Sequence, residues 1–219
     1  MAEDEASEGS EAGTSQAPPG MIQVPAGPFR YGRGRGREVE LGEFWIDPYP
    51  VTNKDYLDYS VEFRRPAPRH WPPQGLAEEF YRHPVVNLTV AEAEAYAEAY
   101  GKQLPTPAQL EKAARGQDGR KYPWGDDVRT RVSNTRESGV GDLTPVDAYP
   151  DGVSPYGCYD LCGNVLHWTR GVYDSASGSR VLKGGCYREF LGASSWTYEG
   201  DPNQRYPHVG FRCVWMPPQ

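Results

Sequence analysis

The chain has 219 residues with 23 Lys and Arg against 30 Asp and Glu, a formal net charge of −7, which argues against binding a phosphate backbone as its main role. No run reaches the ~20 apolar residues of a transmembrane helix, and the chain opens with neither a basic n-region nor an apolar h-region, so neither membrane insertion nor a signal peptide is expected. Glycine (25) and proline (21) are abundant and point to turns more than to long helices.

Residues 1–19 are small and acidic, with Glu3, Asp4, Glu5, Glu8 and Glu11 near the start. Such a segment buries too little apolar surface to offset its ordering entropy, so a disordered tail is expected before a folded domain over 20–219. The stretch "MIQVPAGPFRYG" reads as a strand followed by a Gly-rich hairpin, and "VELGEFWIDPYPVT" as one further strand running into a helix near Thr52–Phe63. A proline-studded loop fills 64–75. Thr89 and Glu92 form a capping box for a helix that Gly101 ends, with Val90, Ala93, Ala97 and Tyr100 able to share a face. Thr106, Pro107 at the first helical position, Gln109 and Gly116 repeat this logic for a second helix. Beyond 117 the chain reads as loops and short strands. Helices followed by short strands, with no repeat, indicate an α+β domain.

Cys158, Cys162, Cys186 and Cys213 are too few for a disulfide scaffold. The Cys158–Cys162 spacing lacks a second ligand pair, so zinc is disfavoured against buried thiols or one disulfide. His70, His83, His167 and His208 are scattered.

Several ordered motifs carry a resemblance: "VTNKDYLDY", "HPVVNLTVAEAEAYAEAYGKQLPTPAQLEKAARG", "YPWGDD", "LTPVDAYPDGVSPYGCYDLCGNVLHW", "RVLKGGCY" and "HVGFRC". From Met21 to Trp215 the chain resembles the formylglycine-generating-enzyme (sulfatase-modifying factor) type of C-type lectin fold. That implies two main helices, small twisted antiparallel sheets and much irregular loop, with "GGCY" and "VGFRC" as strands bracketing an exposed segment.

The enzyme resembled uses two cysteines and copper, and soft thiolates in reach of each other suit that metal. The corresponding positions here fall near Glu189 and Ser194, so a copper oxidase reading lacks its ligands. Cys186 stands where the family has serine and is expected to be an inert, inward-facing thiol. The iron-dependent sulfoxide synthase branch needs a histidine cluster that the scattered histidines do not supply. His167 replaces a glutamate of the family's "GNVWEW", which puts the family's structural calcium in doubt. Asn134 and Asn164 stay open as oxygen donors, with a turn role favoured.

A third branch, the variable proteins of bacterial diversity-generating retroelements, matches the frame in "PNQRYPHVGFR": Pro202, Arg205, Val209, Gly210, Phe211 and Arg212 fall on frame positions. By this resemblance the chain is a non-catalytic display protein without a cofactor. Its ligand surface is expected from Tyr187, Arg188, Glu189, Phe190, Ser195, Trp196, Tyr198, Glu199, Tyr206, Pro207 and His208, because Tyr, Trp and Arg are common interface anchors. Arg205 and Arg212 are expected to be structural donors. The expected partner is a protein or other macromolecule, the expected state a monomer, and the location cytoplasmic or surface-displayed by another route. The alternatives are a copper-dependent oxidase, another metal enzyme of this fold, and an accessory domain that senses or scaffolds without diversification.

Overall fold

The computed structural model describes residues 16–34 and 36–218. Most of the expected tail, residues 1–15, lies outside the described residues. Strand β1 (Ile22–Val24) is followed by a hairpin of β2 (Gly27–Tyr31) and β3 (Arg37–Leu41). The single strand expected from "VELGEFWI" is two, because the chain breaks at Gly42 and Glu43 before β4 (Phe44–Ile46). β4 then pairs with β1 on one side and with β9 (Val214–Trp215) on the other.

Three α-helices follow, at the three places where the sequence leads one to expect them. They are α1 (Asn53–Glu62), α2 (Val90–Ala99) and α3 (Pro107–Arg115). All three start on a threonine whose hydroxyl accepts an N–H from the third helical residue, Asp55, Glu92 or Gln109, while that residue's side chain accepts the threonine N–H. Each such cap is worth about 1 kcal/mol. Helix α2 stops at Gly101, whose φ of 64° is the left-handed conformation of a C-terminal glycine. Its buried face holds Val90, Ala93 and Ala97 as expected, together with Tyr96. Tyr96 stacks on Tyr56 of α1 at 5.8 Å and meets Phe211 edge-on.

Helix α3 is buried nearly all round, because β2 packs on one side and the sheet of β5 (Leu166–Asp174) and β6 (Ser179–Lys183) on another. The position requires its charges to be paired. Glu111 accepts from Arg115 at 2.6 Å, from Lys183 at 2.6 Å and from the Gly32 N–H at 2.7 Å, with all three side chains buried.

The second main sheet runs β7 (Tyr198–Gly200), β6, β5, β8 (Val209–Gly210). Its β5–β6 and β6–β7 pairings are antiparallel, as expected, and its short β5–β8 pairing is parallel. Trp168 on β5 is fully buried in the main core, and its indole N–H donates to the Leu88 carbonyl at 3.1 Å. No helix among the described residues is long and apolar enough to cross a membrane.

Candidate functional site

The expected strand at "GGCY" does not form. β6 ends at Lys183, and Gly184 and Gly185 follow with φ of 113° and 94°. The positive φ of Gly184 favours glycine, and a Cβ there would sit tightly, 3.1 Å from His167 Nδ1. This left-handed pair turns the chain out of the sheet and delivers Cys186 into the core, fully buried. Burial pushes its thiol up to about 11.

Backbone contacts from distant loops then pin the segment. Tyr187 N–H donates to the Asn164 carbonyl at 3.2 Å, and Arg136 N–H to the Glu189 carbonyl at 2.8 Å. Both carboxylate oxygens of Glu137 accept the Leu191 N–H, at 3.0 and 3.1 Å. Ser194 N–H donates to the Lys121 carbonyl, and Cys162 Sγ lies 3.1 Å from the Gly192 carbonyl. Arg136 and Glu137, two of these partners, belong to a short 3-10 turn over residues 136–138.

On this base the side chains divide. Phe190 (62% exposed) and Trp196 (41%) face solvent. Each carries a cation: Arg136 lies 4.6 Å from the Phe190 ring centroid, and Arg33 lies 5.4 Å from that of Trp196. The Trp196 ring also covers Gly192, where a Cβ would come within 2.7 Å of it. Arg188 and Glu199 are exposed and Glu189 half-buried, with the Arg188 guanidinium over the Tyr187 ring and its Nε donating to the Tyr187 hydroxyl at 3.1 Å.

Other expected ligand positions turn inward. Tyr187 (6% exposed) and Ser195 (8%) are buried. Tyr198, on β7, and Tyr206 pack half-buried against the main core, Tyr206 with its ring against Trp168. Burial, with the Glu189 carboxylate next, raises the Tyr198 phenol well above its usual value. Pro207 and His208 are half-buried. The outward patch is therefore narrower than the sequence list, and it includes Arg33 and Arg136. Nothing in the pattern marked these two, because only folding brings them to the loop.

Arg205 and Arg212 are structural, as expected. Arg205 forks onto the Glu92 carboxylate, one arm at 2.8 Å, and bonds the Asn87 carbonyl. Buried Arg212 donates to the carbonyls of Asp47 and Pro48, at 3.1 Å each, and to His167 Nε2 at 3.2 Å.

The donor sets do not fit the family's metals. Asn134 Nδ2 donates to Asn164 Oδ1 at 3.0 Å and Asn164 Nδ2 to Asp160 Oδ2 at 2.8 Å, while Ser138 donates to Asn134 Oδ1 and the Thr144 N–H to Asn164 Oδ1, so both amide oxygens are already engaged. His167 offers a nitrogen facing a guanidinium where calcium would need an oxygen. For copper, positions 189 and 194 supply a carboxylate and a hydroxyl, and Cys162, whose thiol burial raises to about 12, is no ready thiolate.

An α+β scaffold with two core sheets, presenting a pinned loop after a Gly-Gly turn, defines a C-type lectin-like domain of the formylglycine-generating-enzyme type. Residues 7–217 match the sulfatase-modifying factor enzyme 1-like domain family, and the chain belongs to that family. It is 31% identical to the inactive C-alpha-formylglycine-generating enzyme 2 of Mus musculus, over 90% of this chain and 85% of that one. It is 32% identical to the formylglycine-generating enzyme of Mus musculus, over 89% of this chain and 74% of that one. In fold it is similar to Treponema denticola variable protein 1, with a TM-score of 0.75 at 18% identity over 89% of this chain and 94% of that one.

Proposed function

We propose that the chain is a non-catalytic binding protein that displays a recognition surface on its 187–208 segment, and that this segment is diversified by a retroelement. The observation that carries the reading is the pair of exposed rings, Phe190 and Trp196, each under an arginine, on a loop whose backbone is fixed by residues 136 and 137. Rigid aromatic anchors on a preorganised loop give contact area at low entropic cost. The surface comprises Arg188, Glu189, Phe190, Trp196 and Glu199, with Arg33 and Arg136 added. Tyr187, Ser195, Tyr198, Tyr206, Pro207 and His208 supply its floor. Its partner is a protein or other macromolecule, bound by a monomer.

The relatives include both an inactive and an active enzyme by name. The oxidase reading is disfavoured by the Glu189 and Ser194 side chains at the copper positions and by the raised thiols of the buried cysteines. The test is the DNA beside the gene. A near-copy of the codons for 180–212, differing mainly at adenines and accompanied by a reverse-transcriptase gene, is expected. Its absence, together with copper-dependent oxidation of a sulfatase peptide, would overturn the reading.

A further inference from the structure

Five exposed cations rest on aromatic rings. Arg33 lies 5.4 Å from the Trp196 ring centroid, Arg37 5.8 Å from that of Tyr31 and Lys121 5.0 Å from that of Tyr122. Arg136 lies 4.6 Å from the Phe190 centroid and Arg188 5.4 Å from that of Tyr187. None of the five makes an ion pair among the described residues, whereas Lys54, Arg82, Arg120 and Arg180 each take a carboxylate. All five are tied to the segment 187–196. Arg188 belongs to it, and Arg33 and Arg136 sit on its two exposed rings. The Lys121 carbonyl accepts the Ser194 N–H at 3.0 Å, and Arg37 follows the hairpin turn in which the Arg33 carbonyl accepts the Gly36 N–H at 3.0 Å. Neighbouring carboxylates are already engaged. Glu137 accepts the Leu191 N–H, Asp126 accepts the Lys121 N–H at 2.7 Å, and Glu189 accepts the Tyr198 hydroxyl. A ring covers one face of a guanidinium and leaves its N–H edge open, so these forks are oriented while most of their donors stay unspent.

We propose that the partner of this surface is an acidic segment of a protein, bound in extended form along residues 187–196. Its carboxylates take the ring-supported cations, and its apolar side chains take Phe190 and Trp196. The proposal deepens the display reading and rests on it. Guanidinium and carboxylate match through two parallel hydrogen bonds, and each pair formed here neutralises a cation that the fold leaves without one. Side chains on one face of an extended strand repeat every ~7 Å. Tyr187 and Trp196 are at most ~32 Å apart along the chain, so about ten residues of partner cover the segment. A nucleic acid also offers anions, but its backbone is charged at every step, and a net charge of −7 opposes a polyanion that runs on past the patch. Glu199, exposed on β7, repels a carboxylate and keeps the acidic segment toward the 187–196 end.

The test is selection from a phage-displayed library of random peptides, each about ten residues long, on the full chain, with affinities of the enriched peptides then measured by fluorescence anisotropy. Enriched sequences should carry several Asp or Glu among apolar residues, and replacing those acids by Asn or Gln should weaken binding about tenfold or more. Arg33→Gln, Arg136→Gln and Arg188→Gln should each weaken it about threefold to fivefold. All three side chains are exposed, and unchanged urea midpoints would show that the variants fold. Lys54→Gln removes the same charge from a paired site on α1 and should leave binding unchanged. Enriched peptides that lack acids, yet lose binding to Phe190→Ala/Trp196→Ala, would overturn the acidic partner and leave the display reading standing. Binding indifferent to the three arginines, or no enrichment, would overturn the proposal. So would a single-stranded oligonucleotide that binds as tightly as the best peptide, since the cations would then serve phosphates.

Discussion

Arg136 holds Phe190 from two directions: its guanidinium lies 4.6 Å from the ring centroid, and its N–H donates to the carbonyl of the preceding residue, Glu189, at 2.8 Å. A residue of a distant loop thus fixes both the backbone and the outward pose of the 187–208 segment. An exposed cation–π pair is worth about 0.5–1 kcal/mol, so this pairing affects presentation more than stability.

Phe190→Ala and Trp196→Ala should therefore each cost less than about 1 kcal/mol of unfolding free energy. Tyr198→Ala and Tyr206→Ala should cost about 1–3 kcal/mol, because those rings pack against the main core and the Tyr206 hydroxyl accepts the Asp201 N–H. Urea midpoints of the four variants check the division. A loss for Trp196→Ala as large as for Tyr206→Ala would show that the outward patch is a supporting wall.

Much of the scaffold was legible because it rests on local chemistry. Thr89 with Glu92 and Thr106 with Gln109 announce helix starts within four residues, and Gly101 and Gly116 announce the ends. The 187–208 segment was less legible because its contacts are long-range. Tyr187 and Tyr206 look alike in sequence to any exposed aromatic, and only the sheet behind them shows which way they face. The strand expected at "GGCY" failed because two left-handed glycines outweigh the β-pattern of the residues around them. β7 went unseen because Tyr198–Gly200 is three residues long and ends in glycine.

Glu111 is the residue whose loss should hurt most. Its carboxylate is shared by Arg115 and Lys183 in a site where all three are buried, so Glu111→Ala leaves two cations without it. Removing one partner of such a group costs about 3–5 kcal/mol. Equilibrium denaturation should show that loss, and a change under 1 kcal/mol would mean that water reaches the cations.

Asp160 makes stability depend on pH in an unusual direction. Burial raises its carboxyl to about 7, outweighing the Asn164 amide and the Arg212 charge that act the other way. Between about pH 4 and 7 the native state therefore keeps a proton that the unfolded chain has released, and stability from this group falls as pH rises through that window. His167 opposes it. Burial and Arg212 hold its imidazole well below 6.5, so its contribution is lost as pH falls below that value. The bare profile mixes the two, and Asp160→Asn isolates the first. The parent's advantage over the variant should be larger at pH 5 than at pH 7.5, by about 2 kcal/mol at ~1.4 kcal/mol per unit. Parallel profiles would show that Asp160 ionises normally.

The cysteines give the sharpest contrast with a thiol-dependent oxidase. All four are free and buried, and burial pushes Cys158 and Cys186 up to about 11 and Cys162 up to about 12. Cys213 is likewise raised well above its usual value by burial and the nearby Asp47 carboxylate. Since the thiolate is the reactive and copper-binding form, the native protein at pH 7 should label slowly with a disulfide reagent, while the guanidinium-unfolded chain should release four equivalents at once. Titration with Cu(I) in competition with a chromophoric chelator should give no site tighter than the chelator. A fast-reacting native thiol, assigned by mass spectrometry to Cys162 or Cys186, would place a nucleophile beneath the display loop and revive the enzyme reading.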